Sequence, residues 1–218
     1  MKVDYTLYLV SDRTIMSVPS IRTAVEQAIL GGCTIVQLRE KDITSLAFYE
    51  IAKEIKRLTD SYHIPLIIND RIDVALAVNA SGVHIGQTDI PALAARKIIG
   101  HDTILGASAT CVREALQAEN DGADYIGVGA MFPTGTKSDA SLVSMEELNN
   151  IRNAVKLPIV VIGGIGKDNA ALFKDTGIDG LAVVSAIISQ PKIREAAEEI
   201  KRIFVKTGCN SRVSSRDF

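Results

Sequence analysis

The residues with most chemistry to offer stand where apolar runs stop. Gly127-Val128-Gly129-Ala130-Met131-Phe132 leads into Pro133-Thr134-Gly135-Thr136-Lys137, a turn carrying two hydroxyls and a lysine. Pro and Gly suffice for a turn; Thr-x-Thr-Lys adds donors suited to an anion. In Gln37-Leu38-Arg39-Glu40-Lys41 a strand period sends Gln37, Arg39 and Lys41 to one face. An amide and two cations there suit a polyanion, Arg as a planar fork and Lys as a point charge. The plainer reading is a solvated basic strand end paired with nearby carboxylates.

Asn69-Asp70-Arg71 and Gly86-Gln87-Thr88-Asp89 each place an aspartate after an apolar run. Hard cations such as Mg2+ take one or two carboxylates plus phosphate oxygens and water, so Asp70 and Asp89 are candidate metal ligands. Either could instead cap a helix, Asp89 ahead of Ile90-Pro91 especially. His84, inside an apolar run, reads as a satisfied core histidine. Ser108 is a weak anion or substrate donor. Gly163-Gly164-Ile165-Gly166 and Val184-Ser185 could bring backbone N–H groups and a hydroxyl to a phosphate, or the glycines could serve turn geometry alone.

These positions need a scaffold that gathers strand ends. Eight runs read as strands: Tyr5–Val10, Thr34–Leu38, Pro65–Asn69, Gly82–Ile85, Thr103–Ala107, Tyr125–Gly129, Pro158–Ile162 and Gly180–Val184. Their near-continuous apolar character suits parallel strands buried on both faces. Helical periods lie between them: Ser20–Leu30, Leu46–Thr59, Arg71–Val78, Pro91–Ile99, Val112–Asp121, Met145–Val155, Asn169–Thr176 and Ile193–Phe204. Leu46 and Tyr49 join the apolar face of the second. Ser144 reads as an N-cap, and Gly31-Gly32, Gly122 and Gly177 as helix stops. Eight strand–helix units favour an α/β fold, a single-domain (β/α)8 TIM barrel over residues 1–206, with 207–218 a flexible tail. The rival, a doubly wound sheet, lacks its GxGxxG after the first strand, which ends in Ser11-Asp12-Arg13.

Composition sets the bounds. Of 218 residues 47% are hydrophobic and the net charge is -2, so no basic field favours nucleic acid. Cys33, Cys111 and Cys209 are scattered, which argues against a disulfide framework or a zinc site. No signal-peptide pattern or membrane-length apolar run is evident, and a cytoplasmic protein with no membrane partner is expected.

Together these motifs, in this order, resemble the thiamine-phosphate synthase family. The resemblance implies a (β/α)8 barrel that joins 4-amino-2-methyl-5-(diphosphooxymethyl)pyrimidine to 4-methyl-5-(2-phosphooxyethyl)thiazole, with Mg2+ as cofactor. It implies that Gln37, Leu38, Arg39, Glu40, Lys41, Asn69, Ser108 and Lys137 contact the pyrimidine diphosphate, with Arg39, Lys41, Ser108 and Lys137 catalytic. Asp70 and Asp89 would hold the metal. Thr134, Gly135, Thr136, Gly164, Val184 and Ser185 would contact the thiazole phosphate. Barrels of this family are often homodimers. The alternatives are a thiazole tautomerase of the sister branch and a non-catalytic phosphate-binding barrel.

Overall fold

The computed structural model describes residues 3–135 and 141–205. Thr136 and Lys137, and the expected tail with Cys209, lie outside the described residues.

Eight parallel strands close into a barrel in chain order: β1 Leu7–Val10, β2 Ile35–Leu38, β3 Leu66–Asn69, β4 Gly82–Ile85, β5 Ile104–Ala109, β6 Tyr125–Val128, β7 Ile159–Ile162 and β8 Gly180–Val183. Closure is shown by β1 pairing with both β2 and β8. Strand alternation splits the core in two. Tyr8, Ile35, Ile67, Tyr125, Val160 and Ala182 fill the barrel interior. Leu7, Val36, Leu66, Val83, Leu105, Ile126, Val161 and Leu181 point outward under the helices. Both faces are buried, which is why the runs carry so few polar residues.

The helices are α1 Ile21–Leu30, α2 Ser45–Ser61, α3 Ile72–Ala77, α4 Ala92–Ile99, α5 Val112–Asn120, α6 Met145–Ala154, α7 Ser185–Ile188 and α8 Ile193–Phe204. Hydroxyl caps start three of them. Ser20 accepts from the Thr23 N–H, Thr44 from Ala47 and Ser144 from Glu147, each satisfying an otherwise unpaired first-turn donor. Gly32, Gly122 and Gly177 have positive φ, as expected for helix stops, but Gly31 does not.

Three further local expectations change. The segment Asn169–Thr176 forms a short 3-10 turn at Ala170–Phe173 instead of an α-helix, while α7 follows β8 directly. In α2 the buried stripe runs through Phe48, Ala52, Ile55 and Leu58, leaving Leu46 71% exposed and Tyr49 half-buried. Phe48 shifts the stripe because it stands one turn before Ala52 and three before Thr59, whereas Leu46 lies at the solvent-facing start. Finally, β5 extends through Ser108 to Ala109, since these two residues keep pairing with β6 after the register with β4 has ended at Ala107.

Candidate active site

The carboxyl ends of β2, β3 and β4 bring most of the expected anion-binding groups together. Gln37 is the penultimate residue of β2 and Asn69 the last of β3, and both are buried, at 5% and 8% exposure. Leu38 between them is wholly buried in the outer layer, so its main chain is what it can offer a ligand. Glu40 turns away to accept from Arg13 Nε at 2.7 Å. Arg39 is held through its backbone N–H on Ser11 Oγ, and its guanidinium lies a loose 3.8 Å from Asp12. That leaves it able to turn toward a stronger anion.

Lys41 donates to Asp70 Oδ2 at 2.5 Å. Asp70 stands in the left-handed region at φ 60, where a short polar side chain is tolerated, and its N–H donates to the His84 carbonyl. Asp89 does not cap α4, whose N-cap position is Pro91. Its Oδ2 instead accepts from the Gly86 N–H at 2.7 Å. Burial and then the neighbouring Asp70 carboxyl push the Asp89 pKa up. Two carboxyls side by side, one partly desolvated and one already paired to an ammonium, fit a site for a hard cation. No group of three or more His, Cys, Asp or Glu that could hold a metal occurs among the described residues. Among the described residues the carboxylates here are Asp70 and Asp89, so other oxygen donors, phosphate and water among them, would have to complete the coordination of a hard cation.

A polar chain crosses the barrel interior beneath these residues. Gln37 Nε2 donates to Tyr8 OH at 2.9 Å, and Tyr8 OH lies 2.7 Å from Tyr125 OH. Tyr125 OH is 3.0 Å from His84 Nδ1, and His84 Nε2 is 3.0 Å from Ser108 Oγ. His84 is thus a partnered interior histidine, as expected, but it also touches a candidate site residue. Burial raises the pKa of both phenols, keeping them neutral. Sequence reasoning passed over Tyr8 and Tyr125. The available signal was a tyrosine in an otherwise aliphatic strand, since a buried phenol must find a partner.

On the opposite side, Gly164, Ile165, Gly166, Asn169, Ser185 and Ser189 line a pocket at the ends of β7 and β8. Ser185 is exposed and opens α7, and half-buried Val184 precedes it. The glycines do more than turn the chain. A Cβ on Gly164 would lie 2.7 Å from Phe132 Cβ and 2.8 Å from the Pro133 carbonyl oxygen. The β7 loop therefore packs directly against the β6 loop, joined also by the Phe132 N–H donating to the Gly163 carbonyl at 3.1 Å. Thr134 is half-buried and Gly135 exposed on that β6 loop.

The sequence matches the family model described as thiamine monophosphate synthase over residues 7–187. It is 60% identical over 205 residues to a thiamine-phosphate synthase of Clostridium beijerinckii, covering 94% of this chain and 98% of that protein. It is 59% identical to one of Ruminiclostridium cellulolyticum, covering 94% and 97%. Among solved structures, a thiamine phosphate pyrophosphorylase from Pyrococcus furiosus superposes with a TM-score of 0.86 at 41% identity, covering 93% and 96%. With this barrel and these rim residues, the chain belongs to the thiamine monophosphate synthase family and is a transferase of thiamine biosynthesis.

Proposed function

We propose that the protein condenses 4-amino-2-methyl-5-(diphosphooxymethyl)pyrimidine with 4-methyl-5-(2-phosphooxyethyl)thiazole, releasing pyrophosphate and forming thiamine phosphate. The observation that carries this reading is two anion-receptive regions on one barrel rim. Arg39 and Lys41, with Asp70 and Asp89 beside them, lie at β2–β4, and the pocket of Gly164, Gly166 and Ser185, which Asp168 also lines, lies at β7–β8. Ser108 and the β6 loop stand between them in strand order.

In this reading Arg39 and Lys41 turn from their carboxylate partners to the diphosphate and meet the negative charge that grows as it leaves. Lys137, outside the described residues, adds a further cation from the β6 loop. Asp70 and Asp89 would hold Mg2+, which would supply charge neutralisation for the leaving diphosphate. Gly164 and Ser185 anchor the thiazole phosphate, and that anchoring presents the ring nitrogen to the pyrimidine methylene. The C–O bond to the diphosphate breaks first, the aminopyrimidine ring carries the resulting cation, and the thiazole nitrogen then supplies the electron pair of the new C–N bond. No protein nucleophile is required.

The test is an assay with both substrates and Mg2+. Equal amounts of pyrophosphate and thiamine phosphate are expected only when both substrates are present. Isomerisation of a thiazole phosphate alone would identify the tautomerase instead, and binding without turnover a non-catalytic barrel.

A further inference from the structure

The interior polar chain has a direction. Gln37 Nε2 can only donate, so Tyr8 OH accepts from it. The Tyr8 proton then has the Tyr125 oxygen as its acceptor. Tyr125 OH then donates to His84 Nδ1, which leaves the Nε2–H of His84 to donate to Ser108 Oγ. Each group thus donates to the next from Gln37 to Ser108. The two ends emerge with opposite character. Gln37 keeps its carbonyl oxygen as an acceptor, and Ser108 keeps its hydroxyl proton as a donor. Among the described residues no fully buried side-chain nitrogen or oxygen lacks a partner. The Gln37 oxygen, which has no hydrogen bond among the described residues, is therefore not fully buried and is left for a ligand at the carboxyl end of β2.

The strands are built around this chain. Gly106 is flanked in register by His84 on β4 and Tyr125 on β6. A Cβ at Gly106 would overlap the ring and hydroxyl of Tyr125. A Cβ at Gly127, the register partner of Ser108, would press on His84 Cε1 at 3.1 Å. Two glycines thus clear the path by which Tyr125 reaches His84 and His84 reaches Ser108. Tilted ring contacts of Tyr125 with Tyr5, Tyr8 and His84 hold it from other sides.

We propose that Tyr8, Tyr125 and His84 are positioning residues that lock Gln37 as an acceptor and Ser108 as a donor, so that the barrel mouth selects a heteroaromatic ring edge pairing an amino group with a ring nitrogen. This rests on the pyrimidine diphosphate reading above. It assigns the discrimination for the amino group to residues beneath the site. A buried network of this kind is effective because reversing one bond leaves a polar group unpaired elsewhere along it.

The experiment uses two unreactive pyrimidine analogues with CH2 in place of the ester oxygen that joins the pyrimidine methylene to the diphosphate, one bearing the amino group and one bearing hydrogen there. Their inhibition constants are measured on the wild type, Tyr125→Phe and Tyr8→Phe, after wild-type synthesis of thiamine phosphate has been recorded. The wild type is expected to prefer the amino compound by roughly 10–100-fold, because the deamino ring leaves a site group unpaired. In both variants the preference is expected to fall below roughly fivefold, with the KM for the thiazole phosphate within about twofold of wild type. Undiminished preference in either folded variant overturns the proposal, as does a parallel rise in thiazole KM, which would signal general damage to the barrel. Melting curves identify a variant that has not folded, and the other then decides. A wild type that makes no thiamine phosphate overturns the functional reading and this proposal with it.

Discussion

At the scale of single residues, the charges of the rim are spent on one another. Lys41 sits on Asp70, Arg39 near Asp12, and Asp89 is crowded by burial and by Asp70. Such like-charge crowding costs stability without a cation and gives affinity for one. Asp89→Asn keeps an oxygen for the Gly86 N–H but removes one carboxylate. The Mg2+ concentration for half-maximal rate is expected to rise at least about tenfold, since in the proposed reading the cation rests on two carboxylates. The metal-free variant should melt no lower than wild type. Magnesium titration of the rate and a thermal melt check both halves; an unchanged Mg2+ dependence would remove Asp89 from the metal site.

At the scale of elements, loops and strands take their shapes from each other. The β7 loop can reach the β6 loop because Gly163 and Gly164 adopt φ of 98 and 63 with no side chain in the way. Gly164→Ala would meet Phe132 and Pro133 in a backbone region that alanine disfavours. Stability is expected to drop by about 1–3 kcal/mol in a denaturant titration. The thiazole phosphate KM should rise more than the pyrimidine diphosphate KM, because the displaced loops border the glycine–serine pocket. Equal changes in the two would place the damage elsewhere. The short 3-10 turn after β7 belongs to the same region. Asn169 is tied there to Gly164 and Gly166 by its own amide, which holds the chain in a tight turn where helical spacing alone suggested a longer helix.

At the scale of the whole molecule, function and stability occupy opposite ends of the barrel. Away from the rim, Arg96 of α4 donates to the carbonyls of Gly100, Thr103 and Gly122 and to the Asp124 carboxylate. Asp124 in turn accepts from the Leu105 N–H. One buried guanidinium thereby ties α4 to the starts of β5 and β6. Arg96→Met would leave several acceptors unpaired and is expected to cost about 3 kcal/mol of stability. Turnover by the folded fraction should stay close to wild type, as read from kcat alongside a denaturation curve. A large loss of kcat in folded protein would show that the lower end communicates with the rim. Cys33 belongs to this supporting structure as well: burial pushes its thiol up to about 12, which makes it an inert core residue at neutral pH.

The amino-acid sequence alone determined the barrel, because eight apolar runs buried on both faces and separated by helical periods have few other ways to close. It also showed donors, cations and carboxylates after those runs, which the closed barrel gathers on one rim. Neither periodicity nor motif could reveal what depends on register and approach across strands. That Asp89 secures the Gly86 turn beside Asp70, that Glu40 belongs to Arg13, and that Gly164 admits the β6 loop are tertiary facts. So is the chain from Gln37 to Ser108, whose members stand on five different strands. Tyr8 and Tyr125 are 117 positions apart in the chain, yet their hydroxyls share a hydrogen bond because closing the barrel turns both strands' inner faces toward one axis.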